Sequence, residues 1–582
     1  MNTKHKILSL LLVLLMAATM LPVSAAESAD AEAVDFFSAA ESAALTAEEL
    51  TSLDEQPAVE TDSKPLNGDG ESESGPDFSA LESNAVAALV VGESVTGFSA
   101  LDEAFAAVTS TEDVVYLLAD AAGEYTLDAA CAFTLDLNGF ALDGTLDCLT
   151  SLVLADSSES GTGCVRAPEG SSWAVCCHEA FALVGGTVEF VSATPAEEGA
   201  AALYVADGTA VLRGGAVTSA GMLFAFSQEE TASVRVEGGC LFAEEGPVAE
   251  ADASRVRLTG GVYNLAVEPG DDCVLCPNTD ASTSSLYPYR VVEGPFFYGA
   301  NVSCREGLVI KYYVLVPAAM AAEPEQYGVR FDDGELLPLS AAESATVGGC
   351  ECLCFSLALV PKDMATAVKV SLEGIDGTVY AQREDYSAAT YFENILARES
   401  SSDALRELAC AALNYGAAAQ TYFAYNTAAP ANLNLSAERQ QIPAVTPDQS
   451  WRAQYDAEAL SACGFSQPQL QLVLGSRVGL RLYLLPLEAA DTELCSAEVN
   501  GESLPLAFDE DTGLCYVTLD ASLFPRLDSL CTVTVSNGSV SAELTLGVCS
   551  FLYVNLDGGD ALADLCCALA VFRQAAERYY GL

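Results

Sequence analysis

Hydrophobic and polar positions along this chain change pattern several times, and each change marks a segment. Ile7 to Met16 is a nearly unbroken apolar block, preceded by Lys4 and Lys6 and followed by Val23, Ser24, Ala25 and Ala26. A basic start, a short apolar run and small residues at a cleavage position predict a signal peptide over residues 1–25. From 26 to 95 the apolar rhythm gives way to Ala, Glu, Ser and Asp, broken by Pro57, Pro65 and Pro76. Too little aromatic and branched content is available there to offset the entropy of ordering, which predicts a disordered acidic spacer. Near Phe98 a periodic pattern begins. Ser99 is placed to cap a short helix with Asp102 and Glu103 in its first turn, VVYLL at 114–118 reads as a buried strand, and FTLDLNGFALDG at 133–144 alternates as strand, turn and strand.

A repeat then sets in. LVGGTV at 183–188, LRGGAV at 212–217, VEGGCL at 236–241 and LTGGVY at 258–263 share one frame, with their Gly pairs 29, 24 and 22 residues apart. That spacing suits one turn of a three-sided parallel β-helix, in which an apolar residue at a fixed place in each turn builds a ladder through the core. The glycines are expected to let the chain turn the corner with positive φ. The stretch 96–292 resembles right-handed parallel β-helix proteins of the pectin-lyase-like class, and LDLNG at 135–139 followed by Gly-Gly rungs is similar to segments of secreted and surface proteins of gram-positive anaerobic bacteria. The resemblance implies a scaffold; activity lives in sites placed on it.

A second, longer repeat occupies the rest. Residues 403–423 align without gaps to 560–580 with nine of 21 positions identical, and upstream DGELLPL at 333–339 matches NGESLPL at 500–506, while LVIKYYVL at 308–315 matches VGLRLYLL at 478–485. The common block order predicts two homologous α+β domains, 296–430 and 466–582, each an antiparallel sheet followed by helix, joined by a linker at 431–465. LNYG at 413–416 resembles the helix ending of a module found in secreted proteins of anaerobic gram-positive bacteria, a resemblance that implies no particular activity; the second copy has AVFR at 570–573 instead. The expected fold class is therefore mainly β: a right-handed parallel β-helix followed by two homologous small α+β domains.

Charge narrows the partners. The formal net charge is −59, with 24 basic and 83 acidic residues. Such a field disfavours nucleic acid and anionic membranes. No segment after the leader is apolar enough to span a bilayer, so no membrane insertion is expected after cleavage. Twenty cysteines in an exported chain would ordinarily suggest disulfides. Here many stand where an apolar residue belongs, and Ala409 aligns with Cys566 while Cys410 aligns with Cys567, so the expectation is buried thiols acting as small hydrophobes.

Chemistry is sparse. After processing one histidine remains, His178, in the context Cys176-Cys177-His178-Glu179-Ala180, with no recognisable nucleophile motif around it. Cys273 and Cys276 have metal-ligand spacing, and a structural zinc site would have to join them to Cys350, Cys352 and Cys354. Between 96 and 292 the cations are Arg166, Arg213, Arg235, Arg255, Arg257 and Arg290, poor material for an acidic substrate, while the carboxylates Asp136, Asp143, Glu197, Glu198, Glu229 and Glu230 form no recognisable pair. A weak calcium turn is conceivable at 509–513. No catalytic, cofactor-binding or metal residue is assigned and no cofactor is expected. The expectation is a secreted, non-catalytic binding or adhesion-type protein, its partner a glycan or a cell-surface protein through which it attaches to the surface. The alternative is a carbohydrate-active β-helix enzyme, a glycoside hydrolase in preference to a polysaccharide lyase.

Overall fold

The computed structural model describes residues 76–582, apart from 192–199, 229–230, 245, 248–249, 306, 487–494, 510–513 and 539, together with the backbone of Asp35–Phe36. The signal-peptide segment, most of the expected spacer, the acids at 197–198 and 229–230 and most of the candidate calcium turn lie outside the described residues. The fold is mainly β, with parallel sheets in its first half and antiparallel sheets in its second.

In the first half, strands pair in parallel with the strand one repeat further along the chain. One sheet runs through Val114–Leu117, Phe133–Asp136, Leu152–Ala155, Phe181–Leu183, Thr209–Leu212, Ser233–Val236 and Val256–Leu258. The other contains two parallel runs that share the long strand Ala141–Cys148: its first half pairs with Cys164–Ala167 and its second with Trp173–Cys177. Register puts like on like. Leu135, Leu154, Leu183, Leu212, Val236 and Leu258 are successive partners; so are Val165, Val188, Val217, Leu241 and Tyr263, and Leu146, Val175, Leu203 and Phe224. All three ladders are buried in one core. Each such side chain contributes about 1.5–3 kcal/mol on burial, so the repeat holds itself together by the same contact made many times.

The Gly doublets lie between a strand of the one sheet and a strand of the other, as expected, but their two residues do different work. Only the second of each pair has positive φ: Gly186, Gly215, Gly239 and Gly261. The first is needed for closeness. A Cβ on Gly214 would lie 2.6 Å from the Val184 carbonyl oxygen, one on Gly238 2.5 Å from that of Arg213, and one on Gly260 2.1 Å from that of Glu237.

The first end of this unit departs from expectation. The spacer does not extend to 95, because Ala87–Val91 is a strand that pairs antiparallel with both Ser94–Phe98 and Val114–Leu117 and buries Ala87, Ala88 and Leu89. Its run of five apolar residues supplies what the preceding acidic stretch lacks. The helix Leu101–Ala106 follows, closing the core with Leu101, Ala104 and Phe105, but its N-cap is Ala100, not Ser99, and no side chain caps it.

The second half holds two units with the same strand order. In one, Phe296–Ser303, Val309–Leu315, Cys350–Ala358 and Glu343–Val347 form a sheet, and Leu337–Pro338, Tyr327–Phe331, Val368–Gly374 and Val379–Tyr386 form another. In the other, the corresponding sheets are Phe465–Leu474, Val478–Pro486, Leu514–Leu519 and Ala507–Asp509, then Glu502–Leu504, Cys495–Val499, Cys531–Asn537 and Val540–Leu546. Each ends in two helices, the second of 20 residues: Asp403–Tyr422 and Ala561–Tyr580. One aligned turn shifts by a residue. Asn500, at φ 50°, donates its backbone N–H to Thr532 and accepts from it through its side chain; the residue in that role in the first unit is Asp332, at φ 48°, bonded in the same way to Lys369, rather than Asp333. Asp and Asn both tolerate the left-handed region there.

The two long helices pack together in a core shared by both units. Aligned residues Tyr415 and Phe572 stack on one another, with ring centroids 5.2 Å apart and planes 17° apart. Aligned Ala409 and Cys566 are both fully buried, and Cys410 and Cys567 both half-buried, so alanine and cysteine do exchange at one core position. Buried cysteines with described side chains, Cys148, Cys177, Cys515, Cys549 and Cys566 among them, carry free thiols.

The expected linker is not a free tether. The Asn414 side chain donates to the Arg439 carbonyl at 2.8 Å and accepts from Asn432 at 2.9 Å, Gln420 accepts from the Ala431 amide at 2.7 Å, and Ala431, Leu435 and Trp451 are buried. A Cβ on Gly416 would meet Ala431 and Met364, both at 3.0 Å. The LNYG sequence is thus the seat of a strap laid over the first long helix. Further on, Gln454–Tyr455 pairs with Val540–Leu546 and the helix Ala457–Ala462 buries Leu460, so the second unit begins before 466. Asn414→Ala removes two hydrogen bonds that seat the strap and, at about 0.5–1.5 kcal/mol each, is expected to cost about 1–3 kcal/mol. Urea unfolding and faster proteolysis between 431 and 447 measure it.

Candidate functional site

His178, the one histidine among the described residues, lies on the outward side of the parallel sheet. Trp173–Cys177 pairs with Ala141–Cys148 so that Cys176 stands directly opposite Asp147, and His178 follows two residues later on the same side. The pleat holds these positions on adjacent strands about 4.8 Å apart. His178 Nε2 is 3.0 Å from Asp147 Oδ1 and 3.5 Å from Cys176 Sγ. Cys176 is buried but belongs to none of the core clusters, whereas Cys177 beside it faces inward with Val175. Among the described residues this is the group of His, Cys, Asp and Glu side chains whose donor atoms converge closely enough to share an ion.

Burial, and then the Asp147 carboxylate, push the Cys176 thiol up to about 12. It is a neutral thiol at ordinary pH, unlike an activated nucleophile. One imidazole nitrogen faces both the thiol and the carboxylate, whereas a relay of the Cys-His-Asp kind uses the two ring nitrogens separately. The geometry is therefore convergent on a point and not a chain for moving a proton.

Next to this group, Trp173 stacks on Tyr204 with centroids 5.3 Å apart and planes 27° apart, and Tyr204 is the register partner of Cys176. Both rings are half-buried and neither packs against the core. They give the sheet an aromatic platform beside its polar group.

The carboxylates weighed from sequence are otherwise engaged. Asp136 is buried and accepts the amides of Asn138 and Ser157 at 2.9 and 3.0 Å, stabilising the Asn138-Gly139 turn, where both residues have positive φ. Asp143 shares Arg166 with Glu189 at 3.3 and 2.6 Å, in a row across three strands. Arg235, Arg255 and Arg257 do come together, around a cavity of about 530 Å³, but Glu237 pairs with Arg235, Asp252 with Arg255 and Asp272 with Arg257.

The two cysteine segments also meet. Cys276 lies in one small apolar cluster with Cys350, Cys352 and Cys354. The Cys350 thiol donates to the Leu275 carbonyl at 3.6 Å and the Cys352 thiol to that of Cys350 at 3.7 Å, burial pushes Cys276, Cys350 and Cys352 upward, and Cys273 lies in the core of the parallel sheets instead. This is a packing cluster.

The signal for the His178 group was present but unread. Asp147 precedes Cys176 by 29 residues, the spacing of the first two Gly doublets, so the repeat itself brings an acid one layer away onto Cys176 and His178.

Comparison with protein-family models, with curated proteins and with solved structures gives no match to this chain. Among the described residues, no helix is long and apolar enough to cross a membrane.

Proposed function

We propose that this chain is a secreted, extracellular binding protein of the adhesion type, whose parallel sheets are the walls of a right-handed, pectin-lyase-like β-helix and whose later units are a duplicated pair of α+β domains. The equivalent strand orders of those two units and the stacking of aligned residues support the duplication. Repeating sheets offer long, regular surfaces for a ligand. The observation that carries the binding reading is the Trp173–Tyr204 stack on the outward side of the sheet, away from the core. Aromatic faces of this kind supply apolar contact together with polar edges, which suits a sugar ring. The partner class is accordingly a glycan of the cell surface, neutral in preference to acidic, since Arg166, Arg213, Arg235, Arg255 and Arg257 are matched by carboxylates. The engagement of Asp136 and Asp143 supports binding without turnover.

A glycan array, followed by incubation of each bound glycan with the protein and analysis of its reducing ends, tests this reading. Trp173→Ala is expected to weaken binding at least about tenfold, the loss of roughly 1.4 kcal/mol. Release of new reducing ends would sink the non-catalytic reading, and unchanged affinity in Trp173→Ala would remove the platform from it.

A further inference from the structure

We propose that Asp147, Cys176 and His178 form a binding site for a single borderline-soft divalent cation, Zn²⁺ before any other. The donor set is one carboxylate oxygen, one thiol sulfur and one imidazole nitrogen, a mixture suited to zinc and poorly suited to calcium or magnesium, which require oxygen. Two of the three donor–donor edges come close to those of a coordination sphere, and all three donors lie within 4.8 Å of one another. A tetrahedron with Zn–S ~2.3 Å and Zn–N and Zn–O ~2.0–2.1 Å has S···N edges of ~3.5 Å and N···O edges of ~3.3 Å. The chain holds Cys176 Sγ and His178 Nε2 at 3.5 Å and His178 Nε2 and Asp147 Oδ1 at 3.0 Å.

Two features distinguish this from a chance cluster on an acidic surface. Asp147 and Cys176 are register partners in the sheet, and His178, just past the strand end, donates its backbone N–H to the Cys148 carbonyl at 3.0 Å, so the backbone carrying the three donors is already set when an ion arrives. Their orientation also converges on one nitrogen. Nε2 faces both neighbours at once, and an ion between the three would meet all of them together. The side chains of His178 and Asp147 are 40% and 38% exposed, leaving an outer position for water or a donor from a ligand. Binding converts the Cys176 thiol to a thiolate and releases its proton to solvent; the two anionic ligands then balance the charge of the ion.

The test uses the full chain, purified under reducing conditions and freed of reductant without oxygen, titrated with Co²⁺ and then Zn²⁺. One equivalent of Co²⁺ is expected to produce a thiolate-to-cobalt charge-transfer band and intense visible bands of tetrahedral geometry, both abolished by one equivalent of Zn²⁺. His178→Ala, at an exposed position, and Cys176→Ser are each expected to lower affinity by about tenfold or more, and Cys176→Ser to remove the charge-transfer band. Circular dichroism identifies any variant that fails to fold, and His178→Gln serves as a milder second variant. Absence of the bands in the parent protein overturns the proposal. So does an unchanged band and stoichiometry in folded His178→Ala, which would place the ion on other thiols.

Discussion

Gly238→Ala is expected to destabilise the parallel-strand unit by about 3 kcal/mol, the upper part of the range for forcing a group into a filled space. The added methyl would sit 2.5 Å from the Arg213 carbonyl oxygen, which is backbone of the preceding repeat and has no rotamer to escape by. Relief requires the two layers to separate, weakening the pairing of Thr209–Leu212 with Ser233–Val236 and of Ala216–Ser219 with Cys240–Ala243 on either side. Gly161→Ala makes an informative companion: its φ is positive but nothing lies within 4 Å of the new methyl, so it should cost only about 1–2 kcal/mol. Urea unfolding followed by tryptophan fluorescence measures both. The chain has two tryptophans, Trp173 in the parallel-strand unit and Trp451 in the shared core of the later units, so a Trp451→Phe background reports the first unit alone. Equal effects of the two glycine substitutions would show that closeness of the layers contributes nothing.

Phe572→Ala is expected to cost about 3–5 kcal/mol in the paired units, read in a Trp173→Phe background. It empties one half of the stacked pair, and Tyr415→Ala should cost a similar amount with a coupling between the two of about 0.5–1.5 kcal/mol in a double-mutant cycle. Tyr415→Phe should act the other way. Its hydroxyl is buried without a hydrogen-bond partner, so its removal is expected to be neutral or to stabilise by about 1 kcal/mol. The aligned position in the second unit is already phenylalanine. A marked loss of stability in Tyr415→Phe would mean that the hydroxyl has a role the packing does not reveal.

What could be read from residues alone depended on repetition. The Gly doublets announced themselves because four copies in one frame impose the same backbone demand, and the ladders of Leu and Val follow from that period. The two units of equal strand order were legible for the same reason. Where a feature occurs once, the sequence offered less. Ala87–Val91 is short and abuts an acidic tract, so composition averaged over a window concealed a strand that pairing on both edges secures. The strap over Asn414 and Gln420 was hidden because its partners, Asn432, Arg439 and Ala431, sit in a segment of polar and small residues that looks like linker. The His178 group combined one local pair with a residue 29 positions earlier. Only the layer spacing connects them, and no local motif carries that information.

The stack of Tyr415 on Phe572 has a consequence for how the two later units stay together. Equivalent surfaces meeting face to face is the geometry of two-fold dimers. Here both partners are segments of one polypeptide, so the effective concentration of each for the other does not fall as the protein is diluted. Such a pairing persists where a two-chain counterpart would come apart, and the one-to-one ratio of its halves is guaranteed by synthesis. Freed from having to match itself, each half can differ: Gly416 sits under the strap in one, and Arg573 stands at the aligned place in the other.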